Sequence, residues 1–586
     1  MHKYIKFTLI TFLGCIQIGI AQETEEDDLG TETVTVTKAY SPTVSDAFKI
    51  KSSPSINDSI ELQKKPINYS IFSVPVASTF TPAKGKASKV KKLPPPVLYN
   101  SYASVGVGNY GNATADFYTS RALNRDERLD IGFNHISSRG DLDGVVLSNI
   151  FSDSKLDASY SKRDRDMDWG ADVALQHQLY NWYGLPTTIT DPAIIGSIDE
   201  RQNYYMGEAG AHINVEDAIF TNADIAYRRF WDAIKSGENR VVFNAGVSFP
   251  VNDETVDIGF NVDYVNGNFK NSDVNSAANL VGIEYRNIQA SINPSLTMLR
   301  DDLSLRLGVN LVYGLNADAD TSDSNFYIYP AVTASYRLLG ENAIAYGGIV
   351  GELKQNSYYD FVEENPYISP TITIAPTDKQ YNAYLGLKGQ LLPNLSYNVK
   401  AFYSAENKSP LFKLNPENDF RDDEKGYYYG NSFEVFYDDI KTLGFFAELN
   451  VDVNRNFTLG VNAEFLDYST ETENPAWNLP TTKASVFLDY QIGKKWFTRA
   501  NLFYVGERED YSSRVVQNIP QRDYPATLIN LESYFDVNLQ VGYRYTDQWS
   551  FFIKGANLTN SDYQNWANFP VQGIQVLGGA TYKFDF

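Results

Sequence analysis

The chain has 586 residues and a formal charge of −22, an acidity that argues against nucleic acid as a partner, because phosphate binding needs clustered Lys and Arg. Beyond the N-terminus no apolar run is long enough for a helical membrane span, so that class is excluded. Tyrosine (41) and phenylalanine (34) are abundant, which suits strands and the aromatic girdles of a membrane barrel.

In chain order, Lys3 and Lys6 precede an apolar run from Phe7 to Ile20, and small residues precede a cut near Gln22. Residues 1–21 therefore read as a secretory signal peptide. The one cysteine, Cys15, falls inside it. A lipoprotein reading of Leu13-Gly14-Cys15 conflicts with the apolar sequence that continues to Ala21. Without a cysteine, the mature chain has no disulfide, thiol chemistry or cysteine metal site.

Residues 22–96 form the second region, a disordered or extended periplasmic segment. It opens on an acidic patch, Glu23 to Asp28, followed by Glu32-Thr33-Val34-Thr35-Val36-Thr37. This hexamer resembles the TonB box of TonB-dependent receptors. The resemblance implies that it adds as a strand to a sheet of the energy-transducing partner, through main-chain hydrogen bonds; an ordinary extended tail is the alternative. Lys38 to Pro96 is rich in Ser, Pro and Lys, with Pro42, Pro54, Pro66, Pro75, Pro82 and Pro94-Pro95-Pro96. Frequent proline blocks helix and central strand, so this is a linker. The family places a plug domain of well over a hundred residues here, and none is legible. Lys84, Lys86, Lys89, Lys91 and Lys92 read as a solvated tether, or as a contact for an acidic partner.

Residues 97–586 form the third region. Val256, Ile258, Phe260, Val262 and Tyr264 alternate with Asp257, Gly259, Asn261 and Asp263, and the pattern returns at Ala447–Val453 and Phe535–Tyr545. Alternation alone fits a soluble sandwich as well as a barrel with a polar lumen. Loop lengths separate the two. Ten short links, at Leu123–Glu127, Arg163–Asp166, Val215–Ala218, Pro250–Asp253, Arg300–Asp302, Gly340–Asn342, Leu392–Asn394, Asn454–Asn456, Gly493–Lys495 and Thr546–Gln548, alternate with longer polar connections. That pattern requires about 22 strands, with short turns in the periplasm and long loops outside. The even count puts both chain ends in the periplasm. The fold class is all-β, a transmembrane antiparallel β-barrel.

The long connections, Gly184–Arg201, Asn356–Lys379, Asn407–Ile440 and Gly506–Glu532, lie beside or contain the aromatic groups Tyr180/Trp182/Tyr183 and Tyr427/Tyr428/Tyr429. These rings are expected in the outer interfacial girdle, the other use being to receive a ring-bearing ligand. Gly555-Ala556-Asn557-Leu558-Thr559-Asn560-Ser561-Asp562-Tyr563 is similar to the closing motif of TonB-dependent receptor barrels. It precedes a final strand that carries Ala580, Tyr582, Phe584 and Phe586 on one face. A closed barrel needs such a strand to meet the first one, and Tyr582, Phe584 and Phe586 are expected to direct barrel insertion.

Catalysis finds little support. The mature histidines His135, His177 and His212 lie in predicted strands without metal spacing or a Gly-x-Ser-x-Gly turn. The acid pairs Asp301/Asp302, Asp422/Asp423 and Asp438/Asp439 read as turn-solvating groups. No catalytic residue, metal or cofactor is assigned. The expected partners are outer-membrane lipid and, through the resemblance, TonB, a surface lipoprotein or other subunits of an outer-membrane complex. The expected function is solute uptake; a structural subunit of an outer-membrane assembly and a passive pore are the alternatives.

Overall fold

The computed structural model describes residues 98–586 except 141, 253, 270–281, 319–321, 419–425, 473 and 516–525. The leader, the Glu32–Thr37 peptide, the proline-rich linker and Asp422/Asp423 lie outside the described residues.

Twenty-two antiparallel strands close into one barrel. The first half runs β1 (Ser101–Gly108), β2 (Ala113–Ala122), β3 (Glu127–Ser138), β4 (Phe151–Arg163), β5 (Met167–Asn181), β6 (Arg201–Val215), β7 (Phe220–Asp232), β8 (Gly237–Val251), β9 (Glu254–Phe269), β10 (Ile283–Arg300) and β11 (Leu303–Asp318). The second half starts with β12 (Ser322–Arg337), β13 (Ile344–Lys354), β14 (Thr377–Leu392) and β15 (Leu395–Leu414). A two-residue strand, β16 (Glu417–Asn418), intervenes before β17 (Phe433–Asn454), β18 (Phe457–Thr470), β19 (Thr482–Ile492) and β20 (Trp496–Val505). The short loop strands β21 (Arg508–Ser512), β22 (Arg514–Val515) and β23 (Thr527–Leu531) come next, and then the barrel strands β24 (Tyr534–Arg544) and β25 (Trp549–Ala556). A small hairpin, β26 (Gln564–Trp566) and β27 (Phe569–Pro570), leads to the last barrel strand, β28 (Gln575–Phe584).

Closure is the pairing of the last strand with the first. Ser101 faces Phe584 and Gly108 faces Leu577, so no edge strand is left for lipid, where an unpaired N–H or C=O costs several kcal/mol. All ten short links are the turns of one rim. Five of them place a residue at positive φ, namely Asp217 (54°), Asn252 (57°), Asp301 (44°), Gly340 (58°) and Gly493 (63°). Asn, Asp and Gly reach that region at the least steric cost, which is why these residues punctuate the alternation. Ser101 and Phe584 sit at the same rim, as an even strand number requires.

The faces are fixed by parity. Exposed apolar side chains such as Val173, Leu175, Ile225, Leu385, Phe445, Phe465, Phe551 and Ile553 occupy one set of alternate positions, forming the lipid-facing belt. Near the turn rim the belt becomes aromatic. Trp549 packs on Tyr582 with centroids 4.7 Å apart, Trp496 on Tyr543 at 4.8 Å and Phe457 on Tyr490 at 5.2 Å.

On the inner face, several rings lie flat over a glycine of the neighbouring strand: Phe402 over Gly444, Phe487 over Gly460 and Phe497 over Gly542. A Cβ at Gly444 would stand 2.1 Å from Cζ of Phe402, and one at Gly460 1.9 Å from Cε1 of Phe487. These glycines let the rings lie against the wall and keep them out of the lumen.

Two sequence expectations change in detail. The Asn407–Ile440 connection is shorter than the proline and charge pattern suggested, because β15 and β17 continue their ladder through Leu414 and Phe433. Gly506–Glu532 also contains its own hairpin, β21 with β23. Alternation weakens there because both faces of the extended strands are packed by loops.

Candidate functional site at the mouth of the barrel

The long-loop rim is closed by a packed core. Tyr204, Phe230, Phe269 and Tyr285 of the wall meet Tyr358, Phe361, Ile368 and Ile372 of the β13–β14 connection. Phe412, Phe433, Leu531 and Phe569 enter from the far side of the circumference, and all these side chains are at most 5% exposed. The rings touch in sequence across the opening. Phe230 and Phe269 bracket Tyr358 at 5.0 and 4.9 Å, Phe361 meets Phe412 at 5.8 Å, Phe412 meets Trp566 at 5.4 Å, and Tyr367 stacks on Phe569 at 3.9 Å. Most of these pairs are edge-on, the arrangement that the ring quadrupole favours.

At the centre lies a two-turn helix, Tyr358–Glu364. Ser357 starts it, its hydroxyl accepting the amide of Asp360 at 3.1 Å. The barrel wall grips the helix through polar groups. Glu238 accepts the backbone N–H of Tyr358 and the hydroxyl of Tyr285, both at 2.6 Å, and Asp232 accepts the Tyr358 hydroxyl at 2.9 Å. Asp360 pairs with Arg240 at 3.0 Å and with Arg228 at 3.4 Å, while Arg240 also holds Asp263 at 2.7 Å. Arg228 lies over the Tyr359 ring, 4.1 Å from its centroid. At the helix end Gln178 donates to Glu363 at 2.7 Å. Burial pushes the carboxyls of Glu363 and Glu364 up from their ordinary value. Docking of wall and helix therefore disfavours the charged form of these two carboxyls.

A second loop layer packs onto this one. Asn431, fully buried, donates to the carbonyls of Trp182 (2.6 Å) and Gly426 (2.7 Å). Trp182 packs edge-on against Tyr427 at 5.2 Å and donates to the Tyr367 carbonyl at 3.2 Å. Nearby, Asp510 accepts the amides of Leu414 (3.0 Å) and Tyr511 (2.8 Å) and the side chain of Asn478 (2.8 Å); burial pushes its carboxyl up to about 6.

The girdle expectation for Trp182 and Tyr427 is overturned: they are 1% and 0% exposed and sit in the loop core. Nothing local in the sequence distinguishes the two uses of such rings. The partner decides, and Tyr427 is 245 residues from Trp182.

The closing motif has a structural job. Asn557, at positive φ, bonds with its side chain to the carbonyls of Ser561 (3.0 Å) and Gln572 (2.9 Å) and to the amide of Ser561 (3.0 Å). Tyr563 stacks on Tyr534 at 3.8 Å and donates to the buried Asp536 at 2.8 Å. The motif thus turns the chain sharply at the mouth and returns it as β26. Tyr582 and Phe584 stack at 5.5 Å on the outer face of the closing strand, while Phe586 is 71% exposed.

The three histidines are spread along the wall. His135 bonds Ser154 (2.7 Å), His177 lies over Tyr205 (4.9 Å), and His212 stands 3.5 Å from Asp172. Asp438 takes a hydrogen bond from Thr472, and Asp439 accepts the amide of Lys408 at 2.8 Å, so this pair organises a loop.

No family model and no curated protein matches the chain. Solved structures do. The ferripyoverdine receptor of the outer membrane of Pseudomonas aeruginosa superimposes with a TM-score of 0.61 at 13% identity, over 83% of this chain and 72% of that one. The ferric-catecholate import receptor Fiu of E. coli K12 gives 0.59 at 12% identity, over 83% and 82%. The copper transporter OprC gives 0.58 at 14%, over 83% and 81%. Likeness at such identities defines the fold, that of the 22-stranded outer-membrane receptor barrel. The resemblance to TonB-dependent receptors carried by the closing motif therefore holds for the architecture.

Proposed function

We propose that this chain is an outer-membrane barrel of TonB-dependent-receptor type that takes part in solute uptake with partner proteins. The observation that carries the reading is the aromatic and ion-paired core packed across the long-loop mouth of a 22-stranded barrel. A passive pore has no use for such a closure, whereas a gated entry needs one. In this reading both chain ends face the periplasm, and Glu32–Thr37 adds as a strand to the energy-transducing partner. A surface lipoprotein is the expected partner at the loop rim.

A second reading is favoured by one feature: Trp182 and Tyr427, from the ring groups that could receive a ligand, are buried and spent on each other. The barrel would then be a structural subunit of an outer-membrane assembly. Mild-detergent purification of tagged protein from native membranes, with mass spectrometry of what accompanies it, separates the two. Recovery of TonB machinery or a surface lipoprotein, together with loss of energised uptake on deletion of residues 32–37, supports uptake. Recovery of assembly or secretion factors, with uptake unchanged by the deletion, refutes it.

A further inference from the structure

We propose that the lumen face of β13–β17 binds anionic, ring-bearing solutes, which Lys388 and Lys400 receive over the rings of Tyr346, Phe402 and Phe446. The inference rests on the uptake reading and names its class of solute, but binding is measured without transport.

The lumen wall below the mouth core is divided. Register places Asp116, Asp157, Asp172, Asp224 and Asp257 on the inner face of β2–β9. Arg128, Lys155, Arg228 and Arg240 also stand there, but Arg128 holds Asp130 at 2.9 Å, and Arg228 and Arg240 hold the mouth helix. Among the described residues between the turn rim and the mouth core, no Phe, Tyr or Trp faces the lumen from β3 to β9. Across the barrel the lumen face of β13–β28 carries rings as well as cations, among them Tyr346, Tyr384, Phe402, Phe446, Phe487 and Phe497.

Glycines on adjoining strands let these rings lie flat. A Cβ at Gly386 would stand 2.4 Å from Cζ of Tyr346, and one at Gly444 2.1 Å from Cζ of Phe402. The Tyr346 hydroxyl is also pinned, donating to Asn398 at 2.6 Å. Aromatic cover of glycine is a packing device of sheets and accounts for the rings, but it does not require cations laid upon them. Nζ of Lys388 is 5.7 Å from the Tyr346 centroid, and Nζ of Lys400 lies 5.1 Å from that of Phe402 and 5.7 Å from that of Phe446, within the range of cation–π attraction.

Register makes the two lysines diagonal neighbours on β14 and β15, since Gly386 faces Lys400 and Lys388 faces Asn398, a spacing of about 7–8 Å. Glu448 and Asp452 share this face of the wall, but they accept from Asn450 and Thr458, each at 2.9 Å, while Glu352 and Glu406 hold Lys379 at 3.7 Å. Among the described residues no carboxylate lies within ion-pair distance of Lys388 or Lys400. Like charges at this spacing repel, and an anion set between them turns the repulsion into attraction. A carboxylate, phosphate or sulfate fits the ammonium pair, with a ring-bearing body laid on the aromatic faces. The acidic half repels the same solute and so holds it to this wall.

The test is equilibrium dialysis of purified full-length protein against 4-nitrophenyl phosphate, with 4-nitrophenyl glucoside as the neutral ring-bearing control. Wild type and Tyr358→Ala are both used, so that a closed mouth does not hide the site, and the folding of every variant is verified by heat-modifiable gel mobility. The expected result is saturable binding of the phosphate, weakened roughly tenfold or more by Lys388→Gln with Lys400→Gln. Lys388→Arg with Lys400→Arg should keep most of the affinity, Phe402→Leu should weaken it less than the glutamines do, and Asp224→Asn on the acidic wall should not weaken it. Lys400→Gln alone repeats the measurement should the double variant fold poorly. No saturable binding in either background, equal affinity for the glucoside, or an affinity indifferent to the glutamine variants overturns the proposal. Deletion of residues 32–37 tests uptake separately: binding as expected with uptake unchanged by the deletion keeps the site and refutes the uptake reading, whereas the reverse outcome refutes the site alone.

Discussion

Replacing Tyr358 by Ala asks whether the mouth helix closes the barrel. The ring is fully buried, touches Phe230, Phe269 and Tyr204, and its hydroxyl is a partner of the buried Asp232. Deleting a buried aromatic costs about 3–5 kcal/mol, and Asp232 keeps its bonds to the amides of Ile234 and Ser236, so the larger part of the loss is packing. The helix is one short segment held by this ring, by the Glu238 bonds and by the Asp360 pairs. The loss therefore falls on local opening, not on the barrel. At about 1.4 kcal/mol per decade the open population rises between a hundredfold and a few thousandfold. Tyr358→Phe keeps the ring and drops one charge-assisted bond, a loss of about 1.5–3 kcal/mol, or roughly ten- to a hundredfold. Two readouts are needed: ion conductance of purified protein in a planar bilayer, and the rate at which a cysteine at buried position 361 reacts with an impermeant maleimide on whole cells. Conductance and labelling should rise in the order wild type, Tyr358→Phe, Tyr358→Ala. If all three stay equal, the helix is not what closes the mouth and the gated-entry reasoning fails.

Other outcomes follow from the same structure. Gly444→Ala forces Phe402 off the wall, since its Cβ would stand 2.1 Å from the ring. A cost of about 1–3 kcal/mol is expected as a lower temperature for loss of heat-modifiable mobility, and Phe402→Ala in the same chain should relieve it. Asp510, with its carboxyl pushed up to about 6 from an ordinary 3.8, binds its proton more tightly when folded. Its penalty is absent below about pH 4, grows as pH rises to about 6 and then levels near 3 kcal/mol. Protease protection of the loop layer should accordingly fall between pH 4 and 6, and the difference between wild type and Asp510→Asn should isolate this slope; a wild type that gains protection over that interval relative to the variant contradicts it. Removing the Tyr582–Phe586 segment takes away partners of Trp549 and Phe117 and part of the seam with β1. Loss of folded protein from the outer membrane, measured by fractionation and gel mobility, is expected, with Phe586 removal alone milder because that ring is exposed.

The barrel itself was legible in the sequence because its signals are local. Side chains alternate with period two, and Asp217, Asn252, Asp301, Gly340 and Gly493 mark turns that need positive φ. Counting all ten short links led to the strand number, and an even number puts both ends at one rim. The final strand was recognisable because a half-apolar, half-polar strand at a chain end has an obvious use in closure. The mouth was not legible. Tyr358 meets Tyr204, 154 residues earlier, and Phe412 meets Trp566, 154 residues later; whether such rings face lipid or one another depends on which strands curve round to adjacency. The divided charge of the lumen escaped for the same reason. Asp224 and Lys400 look alike as polar members of alternating strands, and only register and barrel closure set them on opposite walls. Local stereochemistry therefore chose strands and turns, whereas the circular order of the strands brought loops together over the lumen and placed the charges inside it.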